Sequence, residues 1–187
     1  MNLPNKLTLA RLALTAVFVV CFSIKFPGRF SVAFAIFVIA VLTDYLDGVI
    51  ARRHQLITDF GKLMDPLADK ILTASAFISL ATYQAIPEWA VIVIISREFL
   101  ITGLRSLAAS KGVLIPADNL GKHKTSWQMA TILYFLLLLA IGENFSTTWF
   151  DQAWKLGTHV LVPITVALSI WSGLAYLYKN RGLIDAA

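Results

Sequence analysis

Apolar residues fill long runs of this chain, and polar residues gather at the joints between them. The first run extends from Leu7 to about Phe26 and is interrupted by Arg11 and Lys25. Pro27 and Gly28 break it and set a tight turn that ends at Arg29. A second run, from about Phe30 to Arg53, carries Asp44 and Asp47 near its end. His54 to Met64 reads as a polar connection, and Pro66 suits the first turn of a third helix that reaches about Tyr83. Pro87 and Glu88 turn the chain into a fourth run, Trp89 to Ser110, which contains Arg97, Glu98 and Arg105. Lys111 to Lys124 reads as a loop with Gly112, Pro116 and Gly121. A fifth run covers about Thr125 to Ile141. A polar and aromatic stretch follows, with a short interfacial helix expected around Trp149 to Trp154. A sixth run covers about Thr158 to Tyr178. Each long run approaches the ~20 residues that cross a bilayer. The pattern predicts an all-α integral membrane protein of six transmembrane helices, folded as one domain over residues 1–187.

Composition supports that class. The chain is 58% hydrophobic, against roughly 45–50% in soluble domains. One cysteine, Cys21, excludes an internal disulfide. A signal peptide is the competing reading of the first run, but a small-x-small cleavage site is missing after it. The net charge of +5 reads as loop lysine and arginine on the cytoplasmic side, not as a nucleic-acid surface, because no basic run is interleaved with aromatics. Lys25, Arg29 and Lys155 fall on one side of the six spans, and the rest of the sixteen basic residues fall toward the other. Both termini and the aspartates are therefore expected to face the cytoplasm, in a bacterial inner membrane.

The aspartates change the picture most. Asp44 and Asp47 are three apart and Asp65 and Asp69 four apart, so each pair shares a helix face. Gly48 and Ala51 extend the face of Asp44 with almost no side chain. Charged groups in a membrane span mark function by default. If the two helices pack side by side, the carboxylates converge and repel, and divalent cations resolve that repulsion. Oxygen-only donors favour Mg²⁺ or Mn²⁺, and two such ions form a clamp suited to phosphoryl chemistry.

The same stretch resembles the CDP-alcohol phosphotransferase signature, D-x2-D-G-x2-A-R-x8-G-x3-D-x3-D, and matches every fixed position. The resemblance implies transfer of a substituted phosphate from a CDP-linked donor to an alcohol, with release of CMP. By motif position it implies Asp44, Asp47, Asp65 and Asp69 as metal ligands, with about two cations per site, and Asp69 also as the base for the attacking hydroxyl. Gly48, Ala51, Arg52 and Gly61 would lie against the CDP moiety; Arg52 also reads as an arginine snorkelling to the cytoplasm. Asn5, Thr8 and Arg11 share one face of the first helix. Asn5 and Thr8 would line the nucleotide from a third direction, or that face belongs to an amphipathic helix at the interface. The family is commonly homodimeric, and Gly103 and Gly173 are compatible with close helix packing.

The segments around Asn2 to Arg11, Ser96 to Arg105, Ala109 to Ala117 and Gly121 to Thr125 are similar to the bacterial branch of the family. That branch uses CDP-diacylglycerol as donor and sn-glycerol 3-phosphate as acceptor. A small dianion needs cations near the metals. Arg97 and Arg105, eight apart and about 80° around a helix, can point into one cavity, and Lys122 and Lys124 stand close by. Arg97 also reads as a partner of Glu98 or of a site aspartate, and the lysines as cytoplasmic anchors. His54, His123 and His159 lack metal spacing. The donor's acyl chains would stay in lipid, which predicts a lateral gap between spans. Inositol phosphate, serine or phosphatidylglycerol as acceptor, or a cation transporter with buried carboxylates, are the competing functions.

Overall fold

The structure is a computed structural model. It describes residues 3–54, 59–110, 119–143 and 148–181. Within these, the side chains of residues 3–5, 45–54, 59–63, 65, 119–120, 122 and 148 lie outside the description. All regular elements among the described residues are helical: α1 Leu3–Ser23, α2 Arg29–His54, α3 Asp59–Thr82, α4 Glu88–Ser110, α5 Asn119–Gly142, α6 Thr148–Leu156 and α7 Val162–Lys179. A π-helical turn, Gly157–Leu161, joins α6 to α7. By length and apolar composition, three described stretches can cross a membrane: Lys6–Ser23, His123–Gly142 and Trp149–Lys179. Charged side chains in α3 and α4 keep those helices below that threshold.

The expected boundaries shift in three places. Helix α3 starts at Asp59, so Pro66 lies inside it and not in its first turn. A proline nitrogen carries no proton, so the carbonyl four residues back gets no bond from it, and the helix accommodates that gap. The expected loop from Lys111 to Lys124 gives way at Asn119, and Gly121, Lys122 and Lys124 all belong to α5. The interfacial helix near Trp149 exists but runs through the π turn into α7. Gly157 permits this, because a Cβ there would stand 2.6 Å from Tyr134 and 2.8 Å from Phe135.

Helix α1 packs on α2 and α3, α5 packs on α2 and α7, and α4 packs on α7 and α3. The shared core runs through Phe18, Phe37, Leu72, Phe77, Ile132 and Phe135, all at most 1% exposed. One end of this bundle is aromatic. Phe22, Phe30 and Tyr83 meet edge to face with centroids 5.0–5.3 Å apart, a favourable quadrupole geometry. The Arg29 guanidinium covers the Phe30 ring at 4.4 Å and the Tyr83 ring at 5.3 Å. Gly28, at φ 78°, makes the sharp entry to α2. The first free amides of α2 are capped from a distance: the backbone N–H groups of Phe30 and Ser31 donate to Glu143 Oε2 at 3.1 and 3.3 Å. That carboxylate satisfies orphan donors and complements the positive end of the helix dipole.

Between α5 and α7 the contacts are polar but paired. Thr131 and Thr165 share a hydrogen bond of 2.7 Å, and Gln128 Nε2 donates to Ser169 Oγ at 3.3 Å. Such pairs hold helices together where lipid removes the hydrophobic drive for association. Glu143→Ala removes the remote cap of α2. It is expected to destabilise the protein by about 1 kcal/mol, read as a fall of roughly 2–4 °C in Tm in detergent, with helix content at 25 °C unchanged.

Candidate active site

The site lies at the end of the bundle away from the aromatic cluster. Arg11 of α1 is wholly buried, and its Nη2 lies 2.7 Å from Asp44 Oδ1 on α2, whose side chain is 46% exposed. Asp69 on α3 stands within electrostatic reach of Asp44, Arg11, Lys70 and Glu98. Two of the motif carboxylates, one on α2 and one on α3, thus lie within electrostatic reach of each other and of one buried guanidinium. Thr8, one turn before Arg11, is also wholly buried. That face of α1 is therefore packed in protein and does not lie along a membrane interface.

Asp69 also lines a cavity of about 450 Å³. Helix α3 supplies Asp69, Lys70 and Thr73, α4 supplies Arg97, Glu98 and Arg105, and α5 supplies Lys124 and Gln128. The size falls within the ordinary range for small-molecule sites, roughly 300–1,000 Å³. Its described lining holds four cationic side chains, Lys70, Arg97, Arg105 and Lys124, against two carboxylates, Asp69 and Glu98. It is a net cationic hollow with an acid at one wall.

Each cation is held differently. Arg97 Nη1 donates to Glu98 Oε1 at 3.2 Å. Its Nε is buried without a partner among the described residues. Arg97 passes α7 at Gly173, where a Cβ would stand 3.0 Å from Arg97 Cγ. Gly103, by contrast, has nothing within 4 Å of its Cβ position. Arg105 Nε donates to the Tyr176 hydroxyl at 3.2 Å, with the guanidinium 5.4 Å from the ring centroid. Lys124 is 3% exposed and its Nζ donates to Glu98 Oε1, so it is a buried ion-pair partner and not a surface anchor. The structure therefore brings Asp69, Arg97, Arg105 and Lys124 to one cavity, while Thr8, Arg11 and Asp44 stand on the α1–α2 side of Asp69.

For the other candidates only helix positions are described. Asn5 is on α1, Asp47, Gly48, Ala51 and Arg52 are on the last turns of α2, Gly61 and Asp65 are on α3, and Lys122 is on α5. The side chains of the non-glycine members, and the surroundings of the two glycines, lie outside the described residues. Among described residues no cluster of three metal-ligating side chains is gathered. The described pair, Asp44 and Asp69, fits a hard divalent cation by donor type, since both offer only oxygen.

Two participants are not evident from spacing. Glu98 pairs with Arg97, one of the readings the sequence offers, and also with Lys124, a partner that no spacing indicates. Tyr176, 4% exposed on α7, gives no signal in sequence, because only helix packing carries it to Arg105. His123 and His159 are exposed, and His159 Nδ1 meets its own helix at the Lys155 carbonyl, 2.8 Å away.

An all-helical bundle with bilayer-length apolar helices and a recessed site of carboxylates and cations defines the class. The chain belongs to the CDP-alcohol phosphatidyltransferase family, whose family model matches residues 1–171. It is 40% identical to a CDP-diacylglycerol–glycerol-3-phosphate 3-phosphatidyltransferase of Bacillus subtilis, over 96% of this chain and 95% of the relative. A protein of the same name from Rickettsia bellii is 37% identical over 94% of this chain and 93% of its own. Another from Mycoplasma pneumoniae is 45% identical over 78% of this chain and 66% of its own.

Gly173→Val would drive a branched side chain into the Arg97 stem. Overpacking of this kind costs about 1–3 kcal/mol. The expected result is a lower Tm, measured by thermal unfolding in detergent; Gly103→Val, which meets open space, is expected to leave Tm unchanged.

Proposed function

We propose that this chain transfers the phosphatidyl group of CDP-diacylglycerol to sn-glycerol 3-phosphate, giving phosphatidylglycerol phosphate and CMP. The observation that carries the reading is the cationic cavity opening on Asp69. A phosphate monoester brings two negative charges, and Arg97, Arg105 and Lys70 supply cations around a space large enough for a three-carbon acceptor. Guanidinium forks suit phosphate oxygens in geometry as well as charge. Serine carries no phosphate and leaves that lining uncompensated. Inositol phosphate offers the same charge in a larger body, so it is the acceptor against which the assay is run. The names of the relatives from Bacillus and Rickettsia favour the glycerol phosphate.

In this reading the acceptor's phosphate is held by Arg97 and Arg105, with Lys122 and Lys124 close by, and its terminal hydroxyl reaches Asp69. The hydroxyl oxygen attacks the phosphorus that bears the diacylglycerol. Its proton passes to the Asp69 carboxylate, the new P–O bond forms, and the bond to CMP breaks, so that CMP leaves with the bridging oxygen. A carboxylate is a weak base for an alcohol hydroxyl, so holding the hydroxyl at the phosphorus supplies much of the rate. Two divalent cations, Mg²⁺ or Mn²⁺, on Asp44, Asp47, Asp65 and Asp69 would stabilise the pyrophosphate charge and the leaving CMP. Arg11 holds Asp44 in place. Asn5, Thr8, Gly48, Ala51, Arg52 and Gly61 border the cytidine diphosphate in this arrangement.

The same reading sets the chain in a bacterial inner membrane as one six-span domain and a homodimer. Both termini and the site face the cytoplasm, where glycerol 3-phosphate and CMP are soluble, while the donor enters sideways from lipid. The test is CMP release from CDP-diacylglycerol by detergent-solubilised protein, with Mg²⁺ or with chelator. Release is expected only with glycerol 3-phosphate and metal, and it is expected to vanish in Asp69→Asn. Release with inositol phosphate in its place would overturn the acceptor. Arg105→Gln removes one charge-assisted contact of about 1.5–3 kcal/mol. It is expected to raise KM for glycerol 3-phosphate roughly 10- to 100-fold while leaving the KM for the donor near its starting value.

A further inference from the structure

Glu98 is the charged residue of the described cavity lining that the reaction above leaves without a role. It is an acid in a pocket built for anions. Its Oε1 accepts from Arg97 Nη1 at 3.2 Å and from Lys124 Nζ. Consecutive residues on a helix point about 100° apart and do not ordinarily face each other. The Arg97–Glu98 pair therefore exists because both side chains fold into the same hollow, and Gly173 leaves the Arg97 stem room to do so. Lys124 reaches the same oxygen from α5, so one carboxylate joins two helices and two cations.

We propose that Glu98 is an internal anion that competes with the incoming phosphate for Arg97 and Lys124, and so determines which acceptors the cavity admits. The proposal rests on the reading that this cavity takes a phosphate. Any anion entering must share those two cations with a carboxylate that is already bound to both. That penalty falls on every anion alike. An acceptor that also places a hydroxyl at Asp69 gains a second anchor and overcomes it, whereas inorganic phosphate has charge alone. Glu98 acts through Arg97 and Lys124, which makes it a positioning and selecting residue. A second consequence is register: with Glu98 in place, Arg97 presents its buried Nε, which has no partner among the described residues, from a fixed position, instead of following the phosphate.

The experiment measures inorganic phosphate binding to the detergent-solubilised full-length protein, read as protection against thermal unfolding. Glu98→Gln removes the competing charge. It is expected to tighten phosphate binding about tenfold, and to lower kcat for glycerol 3-phosphate-dependent CMP release about tenfold or more, because both cations lose their fixed place. Glu98→Asp shortens the reach by one methylene and keeps the charge balance, so it folds even if the glutamine variant does not. It is expected to tighten phosphate binding about threefold. A structural ion pair alone would lower Tm and weaken phosphate binding together; unchanged or weaker binding in whichever of the variants folds overturns the proposal. Phosphate protection is read without turnover. Failure of glycerol 3-phosphate as acceptor would thus show in the CMP assay of the unsubstituted protein, and failure of the Glu98 role in the binding shift.

Discussion

A guanidinium with no exposure to solvent sits 2.7 Å from a carboxylate, and this pair of Arg11 and Asp44 organises the bundle. The buried guanidinium cannot be left alone in an apolar helix packing, where an unpaired ion costs several kcal/mol. Helix α1 must therefore lie against α2 with Arg11 turned inward, and α3 closes the remaining side and brings Asp69 within reach of the same guanidinium. Carboxylates that would otherwise repel are held close by a fixed positive charge. This differs from a surface salt bridge, which would be nearly neutral in stability. Here the pair dictates which faces of the three helices meet.

The opposite end of the bundle is built by other means. Phe22, Phe30 and Tyr83 interlock as aromatic rings under the Arg29 guanidinium, and Glu143 caps α2 from the far end of α5. These contacts tie α1, α2, α3 and α5 together without opening a cavity. The molecule is thus aromatic and closely packed at one end and hollow and charged at the other. That polarity suits a site that must accept a soluble anion while its helices remain surrounded by apolar surface. The helix α7 contributes to both halves: Thr165 and Ser169 hold it to α5, and Gly173 and Tyr176 shape the cavity.

Within the cavity, charge is distributed by pairing. Arg105 leans on the Tyr176 hydroxyl and ring, while Arg97 and Lys124 converge on Glu98. A buried ammonium left without any counter-charge is costly, and Glu98 supplies that counter-charge to Lys124 in the empty cavity. The same carboxylate limits how freely either cation can meet a ligand. Stability of the empty cavity and affinity for an anion therefore pull on one oxygen atom.

The linear sequence determined what repeats along a helix. Apolar run lengths marked the helices, and spacings of three and four put Asp44 with Asp47 and Asp65 with Asp69 on common faces. The full signature from Asp44 to Asp69 resembled the family to which the chain belongs. Arg97 and Arg105 were legible as a pair because both lie on one helix, where geometry is fixed by residue count alone. Element ends were less legible. Pro66 and Gly121 are helix breakers in isolation, yet both sit inside helices, because packing of the surrounding turns outweighs a local preference of about 1–3 kcal/mol. Tertiary structure alone decided the partners across helices: Arg11 with Asp44, Glu98 with Lys124, Arg105 with Tyr176, and Gly173 under Arg97. Those residues are separated by as many as seventy-six positions, from Arg97 to Gly173. No periodicity carries a signal over that distance, since which faces meet depends on how all the helices bury their charges at once.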